Sequence, residues 1–175
     1  MIDYNLKVFG CKGRISSVNN FIEQVNDFEI RHKICIQLMD ATLVFGKDHI
    51  ISAFEHAKRA MKQNSASTHS FEMELLLYAS GERQIKHAIS KMGLKKNNTS
   101  FVIIFLFNEQ IKKQINIIFD IFLQTFNLRK DDSVLEADES MLTEFGIAKQ
   151  AIASVRKDQL VQLVLEKVAL VDIIK

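Results

Sequence analysis

The histidines are the residues of this chain that could most directly bind a metal ion. They occur at five positions, His32, His49, His56, His69 and His87. None belongs to an HExxH motif or to the paired Cys and His spacing of a zinc site. His49 and His56 lie on one predicted helix, but two helical turns separate them, which is too far to share an ion. The sequence therefore predicts no metal site.

The two cysteines, Cys11 and Cys35, could act as nucleophiles, as disulfide partners or as metal ligands. Each stands alone in an apolar setting, and neither belongs to a CxxC motif. This pattern favours free, reduced and buried thiols, with a disulfide or a shared metal as the alternative. It gives no support to redox chemistry.

Paired carboxylates could perform acid–base chemistry, and Glu72 and Glu74 form one such pair on a predicted helix. They flank Met73 and so point to different faces of the helix; the alternative is that both complement the helix dipole in its first turn. The sequence has no glycine-rich phosphate loop and no GxSxG serine motif, and Gly46-Lys47 lacks the upstream glycine of a P-loop. We therefore expect a protein that is not an enzyme and that holds no cofactor.

Charge is distributed unevenly along a chain whose formal net charge is only +2. One stretch carries bases without acids, at Arg83, Lys86, Lys91, Lys95 and Lys96. A second stretch carries acids without bases, at Asp131, Asp132, Glu136, Asp138, Glu139 and Glu144. A basic stretch is most often a solvated face, and the alternative is a site for a polyanion.

Length and composition predict one globular domain, which we place at residues 1–175. Hydrophobic residues make up 47% of the chain and charged residues 25%, which are ordinary values for a folded domain. The longest apolar run, Phe101 to Phe107, is much shorter than the ~20 residues that cross a bilayer as a helix. Residues 1–5 lack the basic start and apolar stretch of a secretory signal, so we expect a cytoplasmic protein.

Short apolar stretches predict the strands of a small sheet. Residues 4–10 alternate loosely between apolar and polar types and predict a strand, followed by a turn through Gly10 and Gly13. Residues 34–38 alternate and predict a second strand, and Thr42 to Phe45 favours another. The run Phe101 to Phe107 is apolar on both faces, which predicts a central strand.

Helical periodicity covers most of the remaining chain. A first helix, capped by Ser16 or Ser17, carries Phe21, Val25 and Phe28 on one face. Further helices are predicted from Gly46 to about Gln63, Ser70 to Ser80, Glu82 to Met92, Asn108 to Phe126, Asp138 to Gly146, and from about Asp158 onwards. The predicted fold is a mixed, helix-rich α/β domain in which helices flank a small, mainly antiparallel sheet.

One segment of the chain carries a family pattern. Residues 71–85 read Phe-Glu-Met-Glu-Leu-Leu-Leu-Tyr-Ala-Ser-Gly-Glu-Arg-Gln-Ile, and the pattern continues through Ala88-Ile89 to Gly93. Three shorter matches also occur in the order of the family, at residues 8–13 (Val-Phe-Gly-Cys-Lys-Gly), 145–147 (Phe-Gly-Ile) and 164–170 (Val-Leu-Glu-Lys-Val-Ala-Leu). Together these segments resemble the small subunit family of the KEOPS complex, whose eukaryotic member is the PRPK-binding protein. The resemblance spans nearly the whole chain.

The resemblance implies a non-catalytic accessory subunit of a tRNA-modifying assembly. Such a subunit is a compact α/β domain that binds the small lobe of an atypical kinase of the PRPK/Bud type. That kinase sits on the subunit that installs threonylcarbamoyl-adenosine beside the tRNA anticodon, so the remaining KEOPS subunits are indirect partners. In archaeal members the small subunit is also understood to capture the 3′ CCA end of the tRNA.

The resemblance, together with the chemistry of RNA binding, suggests residues for both roles. Cationic side chains, amides at helix N-termini and flat side chains hold single-stranded RNA ends. The RNA-binding candidates are Arg83, Arg59 and Lys86 for phosphates, Ser80 and Gly81 as backbone donors at a helix start, and His56 for base stacking. The candidates for the kinase interface are Ile85, Ile89 and Met92.

These assignments have alternatives. Arg83 could instead tie its corner of the fold to Glu72 or Glu74, and His56 and Arg59 could belong to a plain solvated helix face. For the whole protein, the alternative is a regulator of the kinase's ATPase activity that never contacts RNA. An enzyme whose site is assembled from distant residues is a third hypothesis.

Overall fold

A four-stranded antiparallel sheet forms the centre of the protein, whose computed structural model describes residues 4–174. The strands are β1 (Asn5–Lys12), β2 (Cys35–Asp40), β3 (Ser100–Phe107) and β4 (Arg129–Lys130), in the spatial order β2-β3-β1-β4. β3 pairs with β2 on one side and with β1 on the other, and its residues 101–107 are buried. The predicted central position of this strand is therefore confirmed.

Helices cover both faces of the sheet, because β3 is apolar on both faces. Phe101, Ile103 and Phe105 pack on one side, and Val102 and Ile104 pack on the other. The first face is covered by α1 (Val18–His32) and α5 (Ile115–Thr125). The second face is covered mainly by α2 (Lys47–Lys62), α3 (Phe71–Ser80), α4 (Ile85–Met92) and α8 (Leu160–Ile174), with the short α6 (Leu142–Phe145) and α7 (Lys149–Ser154) before α8. The predicted helix-rich α/β fold is confirmed.

Several helix ends lie where the sequence predicts them, because short polar side chains and glycine stabilise those ends. The Ser17 side chain accepts a hydrogen bond from the N–H of Asn20 at the start of α1. Ser70 does the same for Met73 at the start of α3. Gly146, with a φ of 96°, ends α6 in the left-handed conformation. Each helix within residues 4–174 is too short or too polar to cross a bilayer.

The turn predicted at Gly10 is wrong, because β1 continues to Lys12 and pairs with β4, which leads directly into the acidic loop that begins at Asp131. The N–H of Gly10 donates to Asp132 at 3.0 Å, and an added Cβ at Gly10 would lie 2.5 Å from the Asp131 carbonyl oxygen. Hydrogen bonds from Ser133 and Lys12 lower the pKa of the Asp131 side chain to about 2. The first acids of the loop thus fasten it to the edge of the sheet.

The strand predicted from Thr42 to Phe45 is also wrong. The chain after β2 forms a 3₁₀ turn at Ala41–Leu43. The Asp40 carboxylate accepts hydrogen bonds from the N–H of Thr42 at 3.0 Å and from its hydroxyl at 2.7 Å. This local bonding competes with continued extension of the strand.

Two helices, α5 and α8, begin later than predicted, as does α4 (below). α5 starts at Ile115 and not at Asn108, because the Asn108 side chain accepts from the N–H of Ile111 and closes a separate turn. α8 starts at Leu160, after a 3₁₀ turn at Lys157–Gln159. Neither shift moves the apolar side of the helix away from the core.

Candidate functional site

The corner between α3 and α4 contains the longest part of the family-like pattern, and we call residues 79–85 the glycine corner. α3 ends at Ser80, and Gly81 adopts the left-handed backbone conformation with a φ of 65°. The N–H of Gly81 donates to the carbonyl of Tyr78 at 3.0 Å. This bond closes the last turn of α3, as glycine commonly does at helix C-termini.

The second helix of the corner begins later than predicted. α4 starts at Ile85, with Gln84 as its N-cap, and not at Glu82. Ser80 and Gly81 therefore lie at the C-terminal end of α3. The expectation that these two residues offer backbone donors at a helix start is wrong, because the Gly81 amide is bonded inside the corner and the Ser80 amide belongs to the last turn of α3.

Two lysines neutralise the helix ends that meet behind the corner. Lys91 Nζ donates to the Ser80 carbonyl at 2.6 Å, and Lys167 Nζ donates to the Gly146 carbonyl at 3.0 Å. Both amines lie over the ring of Phe145, at 4.2 Å and 5.8 Å from its centroid. Cations are favoured at helix C-termini and over aromatic rings. We call Lys91, Phe145 and Lys167 the lysine junction.

The lysine junction brings together three segments that the family-like pattern contains separately. Lys91 and Gly81 belong to the long segment, Phe145 to the second short match, and Lys167 to the third. A Cβ at Gly81 would lie 2.9 Å from Lys167 Cγ, so glycine lets the α8 side chain pass over the corner. Much of the pattern therefore serves to pack helix ends.

His49 is a buried link between α2 and the corner. Its Nδ1 accepts from the N–H of Phe45 at 3.2 Å, and its Nε2 donates to the Ala79 carbonyl at 2.7 Å. Burial lowers the pKa of His49 to about 4, so the ring is neutral. Within residues 4–174, no group of three or more histidine, cysteine or acidic side chains could hold a metal ion.

His56 and Arg59 belong to a network with α8 and not to a plain solvated face. His56 Nδ1 donates to Asp172 Oδ2 at 2.8 Å, and Arg59 Nη2 donates to the same oxygen at 2.9 Å. The hydroxyl of Tyr78 donates to the other carboxylate oxygen. Partial burial alone would raise the pKa of Asp172, but these three hydrogen bonds hold it below its usual value. The Arg59 side chain is still 49% exposed.

Arg83 and Lys86 are exposed at the rim of the corner. Neither side chain forms a hydrogen bond or an ion pair with another described residue. The alternative in which Arg83 is tied to Glu72 or Glu74 is therefore wrong. The two cations could meet an external anion without first breaking a bond within residues 4–174.

Glu74 has a structural role that sequence reasoning missed. Its side chain is fully buried, and its carboxylate accepts hydrogen bonds from the N–H of Ser67 at 3.1 Å and from the N–H of Thr68 at 3.0 Å. The hydroxyl of Thr68 donates to it at 2.9 Å. Glu74 therefore anchors the loop before α3. The spacing of residues along the helix does not reveal this contact, because its partners lie in the preceding loop.

The three residues predicted for a kinase interface differ in exposure. Ile89 is 48% exposed, Ile85 is half-buried, and Met92 is completely buried in the core beneath them. Met92 therefore offers no surface to a partner, and that part of the prediction is wrong. Ile89 and Ile85 remain candidates for contact.

Ile89 also lines a groove of about 570 Å³ between α1 on one side and α3 and α4 on the other. We call it the β2 groove; its residues include Ile22, Glu29, Leu38, Met73, Leu76 and Ile89. The Glu29 carboxylate accepts a hydrogen bond from the N–H of Ile36 on β2. Burial raises the pKa of Glu29 to about 7. No local sequence pattern predicts this groove, because its walls come from segments that lie far apart in the chain.

Both cysteines are free thiols, as predicted. Cys11 is buried in β1, whereas Cys35 is half-buried in β2, with Tyr4 Oη 3.4 Å from its Sγ. Burial raises the pKa of both thiols to about 12. A thiol with so high a pKa is a poor nucleophile at neutral pH.

Comparison with known proteins identifies the family whose sequence pattern the glycine corner and the lysine junction contain. A family model described as "Kinase binding protein CGI-121" matches residues 15–172. The chain is also 32% identical over 139 residues to a protein of the archaeon Methanocaldococcus jannaschii described as "Regulatory protein Cgi121". This similarity covers 79% of the chain and 84% of the relative, and it confirms the resemblance to the small KEOPS subunits. The chain is a member of the CGI-121 family of kinase binding proteins.

Proposed function

We propose that this protein is a regulatory subunit that binds a protein kinase and performs no catalysis of its own. The family match over residues 15–172 carries the proposal, because the family is described by kinase binding. The description of the archaeal relative as a regulatory protein supports it. In its finer form, the partner is the PRPK/Bud-type kinase of the KEOPS complex, and the pathway is threonylcarbamoyl-adenosine synthesis on tRNA.

The outer face of α4 is the surface that we propose for the kinase. Ile89 is 48% exposed there, Ile85 lies half-buried beside it, and Arg83 projects at the edge. Interfaces commonly combine an apolar centre with arginine at or near it. Met92 lies beneath this face and would hold α4 in place without touching the partner.

The kinase proposal is tested by calorimetric titration of the purified kinase with this protein and two variants. Ile89→Arg is expected to weaken binding at least about tenfold, the effect of losing one well-packed apolar contact. Ile117→Arg is the matched control, since Ile117 is 62% exposed on α5, across the sheet. If the variants bind equally well, α4 is not the interface. If the kinase does not bind the unmodified protein, the proposed function is wrong.

We also propose that the protein recruits tRNA through its 3′ CCA end. The exposed and unpaired cations of Arg83 and Lys86 support this proposal, because phosphates supply most of the affinity in RNA binding. Arg59 and His56 would contribute only through the parts of their side chains that Asp172 leaves open. Ser80 and Gly81 would define the path of the backbone at the corner, but their amides would not donate to the RNA.

The tRNA proposal is tested by measuring the affinity for intact tRNA and for tRNA whose 3′ end has been trimmed. Intact tRNA is expected to bind more tightly, with an affinity that falls as salt is added. Arg83→Glu is expected to abolish this preference. Arg14→Glu is the control, since Arg14 is also exposed but lies beyond the end of β1. Equal binding of both tRNAs would remove tRNA capture from the proposal, and equal binding by both variants would clear Arg83.

Regulation of the kinase's ATPase without RNA contact is the second candidate function. The printed description of the archaeal relative as a regulatory protein favours it. ATP turnover by the kinase, measured with and without this protein and tRNA, separates the two roles. Stimulation that needs no tRNA would support regulation alone. Stimulation that requires intact tRNA would support recruitment.

A further inference from the structure

The β2 groove lies over an edge of the sheet. β2 is the end strand in the order β2-β3-β1-β4, so among residues 4–174 only one of its two sides is paired with another strand. Ile36, Gln37 and Leu38 of this strand form part of the groove lining. An unpaired strand edge presents a row of backbone donors and acceptors that another extended chain can bind.

Side chains, and not another strand, occupy the open edge of β2. The N–H of Ile36 donates to the Glu29 carboxylate, and the Leu38 carbonyl accepts from the side-chain amide of Gln37 at 2.8 Å. Ile36 and Leu38 are two residues apart, so their backbone groups point to the same side of an antiparallel strand. The N–H of Ile36 and the carbonyl of Leu38 therefore have the spacing that an added strand would use. In the structure, both groups are hydrogen-bonded to side chains.

Apolar side chains stand on both sides of this edge. Ile22 on α1 is 42% exposed, whereas Met73 on α3 is 36% exposed and Ile89 on α4 is 48% exposed. Alternate side chains of a strand point to opposite faces. A segment lying along β2 would therefore send one set of side chains towards Ile22 and the other towards Met73 and Ile89. This arrangement of edge and flanking pockets is the usual basis of peptide recognition by strand addition.

The charges of the groove indicate which segment fits. Its charged lining residues among residues 4–174 are Glu29 and Glu72, both acidic, in a chain whose net charge is +2. Burial raises the pKa of Glu29, and a neighbouring cation would stabilise its charged form. A phosphate backbone would meet two carboxylates and no cation in the groove. The complementary occupant is apolar with a basic residue.

We propose that the β2 groove binds an extended, apolar segment of another protein that carries a lysine or arginine and pairs with β2 as a fifth strand. The segment displaces the side chains of Glu29 and Gln37 from the backbone of β2. Its basic residue then lies beside Glu29 and Glu72. This inference goes beyond kinase binding, because it requires only a partner with such a segment.

The test is selection from a displayed library of random peptides of about eight residues, long enough to span β2. We expect enriched peptides to alternate apolar residues and to carry a lysine or arginine. An enriched peptide should bind Met73→Lys at least about tenfold more weakly than the unmodified protein. Ile117→Lys, a change on α5 across the sheet, should leave its affinity unchanged. Circular dichroism melting of both variants checks that they fold.

Backbone pairing is tested with N-methylated versions of the same peptide. Methyl groups on the alternate amides that face β2 should abolish binding, whereas methyl groups on the intervening amides should not. Three results would overturn the proposal: no enrichment over Met73→Lys, equal effects of the two methylation patterns, or displacement of the peptide by a single-stranded RNA ending in CCA. The kinase affinity of Met73→Lys, measured in parallel, keeps a failure of this inference separate from a failure of the proposed function.

Discussion

Helices α3 and α4 contribute to both the lysine junction and the β2 groove, but the two regions use their side chains differently. At the junction, Lys91 and Lys167 each donate to a helix-end carbonyl and lie over Phe145. In the groove, Met73 and Ile89 leave more than a third of their surface exposed. The junction satisfies its own polar groups, whereas the groove keeps apolar surface open.

This difference shows how the family-like pattern should be interpreted. Residues 71–93 contain Gly81 and Lys91, which hold helix ends together, and also Met73 and Ile89, which face outward. Membership in the pattern therefore does not identify a contact residue. Exposure and bonding partners within the fold are more informative, and they leave Arg83, Met73 and Ile89 as candidates for contact with other molecules.

The largest effect is expected at the centre of the junction. Phe145→Ala removes a fully buried ring and should lower the free energy of unfolding by about 3–5 kcal/mol. Ile117→Ala, at an exposed position, should change it by less than about 0.5 kcal/mol. Urea denaturation measures both. A loss below about 1 kcal/mol for Phe145→Ala would mean that the junction is not a stabilising centre.

The two regions should respond to pH in opposite directions. Burial lowers the pKa of His49, near the junction, from 6.5 to about 4, so the unfolded chain gains that proton first as the pH falls. Titration of His49 should therefore lower the free energy of unfolding by about 3 kcal/mol as the pH falls from 6.5 to 4. Burial raises the pKa of Glu29 in the groove from 4.5 to about 7. The contribution of Glu29 to the free energy of unfolding therefore decreases as the pH rises through that range.

Unfolding measured across this pH range, for the unmodified protein and for Glu29→Gln, separates the two contributions. Glutamine keeps an oxygen that can accept from Ile36 but cannot titrate. The stability of the variant should rise more steeply between pH 4.5 and pH 7, because only the opposing contribution of Glu29 is removed. Parallel profiles for the two proteins would contradict the assignment.

A smaller effect is expected at the glycine corner. Gly81→Ala places a Cβ on a residue with a φ of 65° and brings it 2.9 Å from Lys167 Cγ. Because the lysine chain is flexible, the backbone conformation dominates the cost, which should be about 1–2 kcal/mol. Denaturation compares it with Ser90→Ala, an exposed position of α4. Equal stability of the two variants would show that the corner does not require glycine.

The smallest effect on stability is expected in the groove. Met73→Lys should change the free energy of unfolding by less than about 0.5 kcal/mol, because the side chain is already 36% exposed. Thermal denaturation checks this. The same substitution should still weaken peptide binding at least about tenfold. A large loss of stability would contradict the contrast between groove and junction.

The sequence predicts the elements that depend on local pattern. The continuous apolar run of β3 and the serine caps of α1 and α3 are such features. The start of α4 is not, because the N–H of Glu82 donates to the Leu77 carbonyl at 3.3 Å, which keeps Glu82 in the turn that closes α3, and Gln84 is the N-cap of α4. The strand predicted after β2 likewise does not form, because the Asp40 carboxylate accepts hydrogen bonds from Thr42 that stabilise a 3₁₀ turn.

Much of the candidate site depends on contacts that no local pattern shows. Asp172 meets Arg59 across 113 positions of the chain, and Glu74 turns back to a preceding loop. The β2 groove exists because β2 is at the edge of the sheet, which follows from strand order. The exposed cations of Arg83 and Lys86, in contrast, could be predicted, since a basic stretch without acids is usually solvated.

Hydrogen–deuterium exchange of this protein, alone and bound to the kinase, tests the central claim most directly. The account predicts slower exchange in residues 83–94, which include the outer face of α4, and unchanged exchange in α5 (Ile115–Thr125). Slower exchange confined to α5, or no change anywhere on mixing with the kinase, would contradict it.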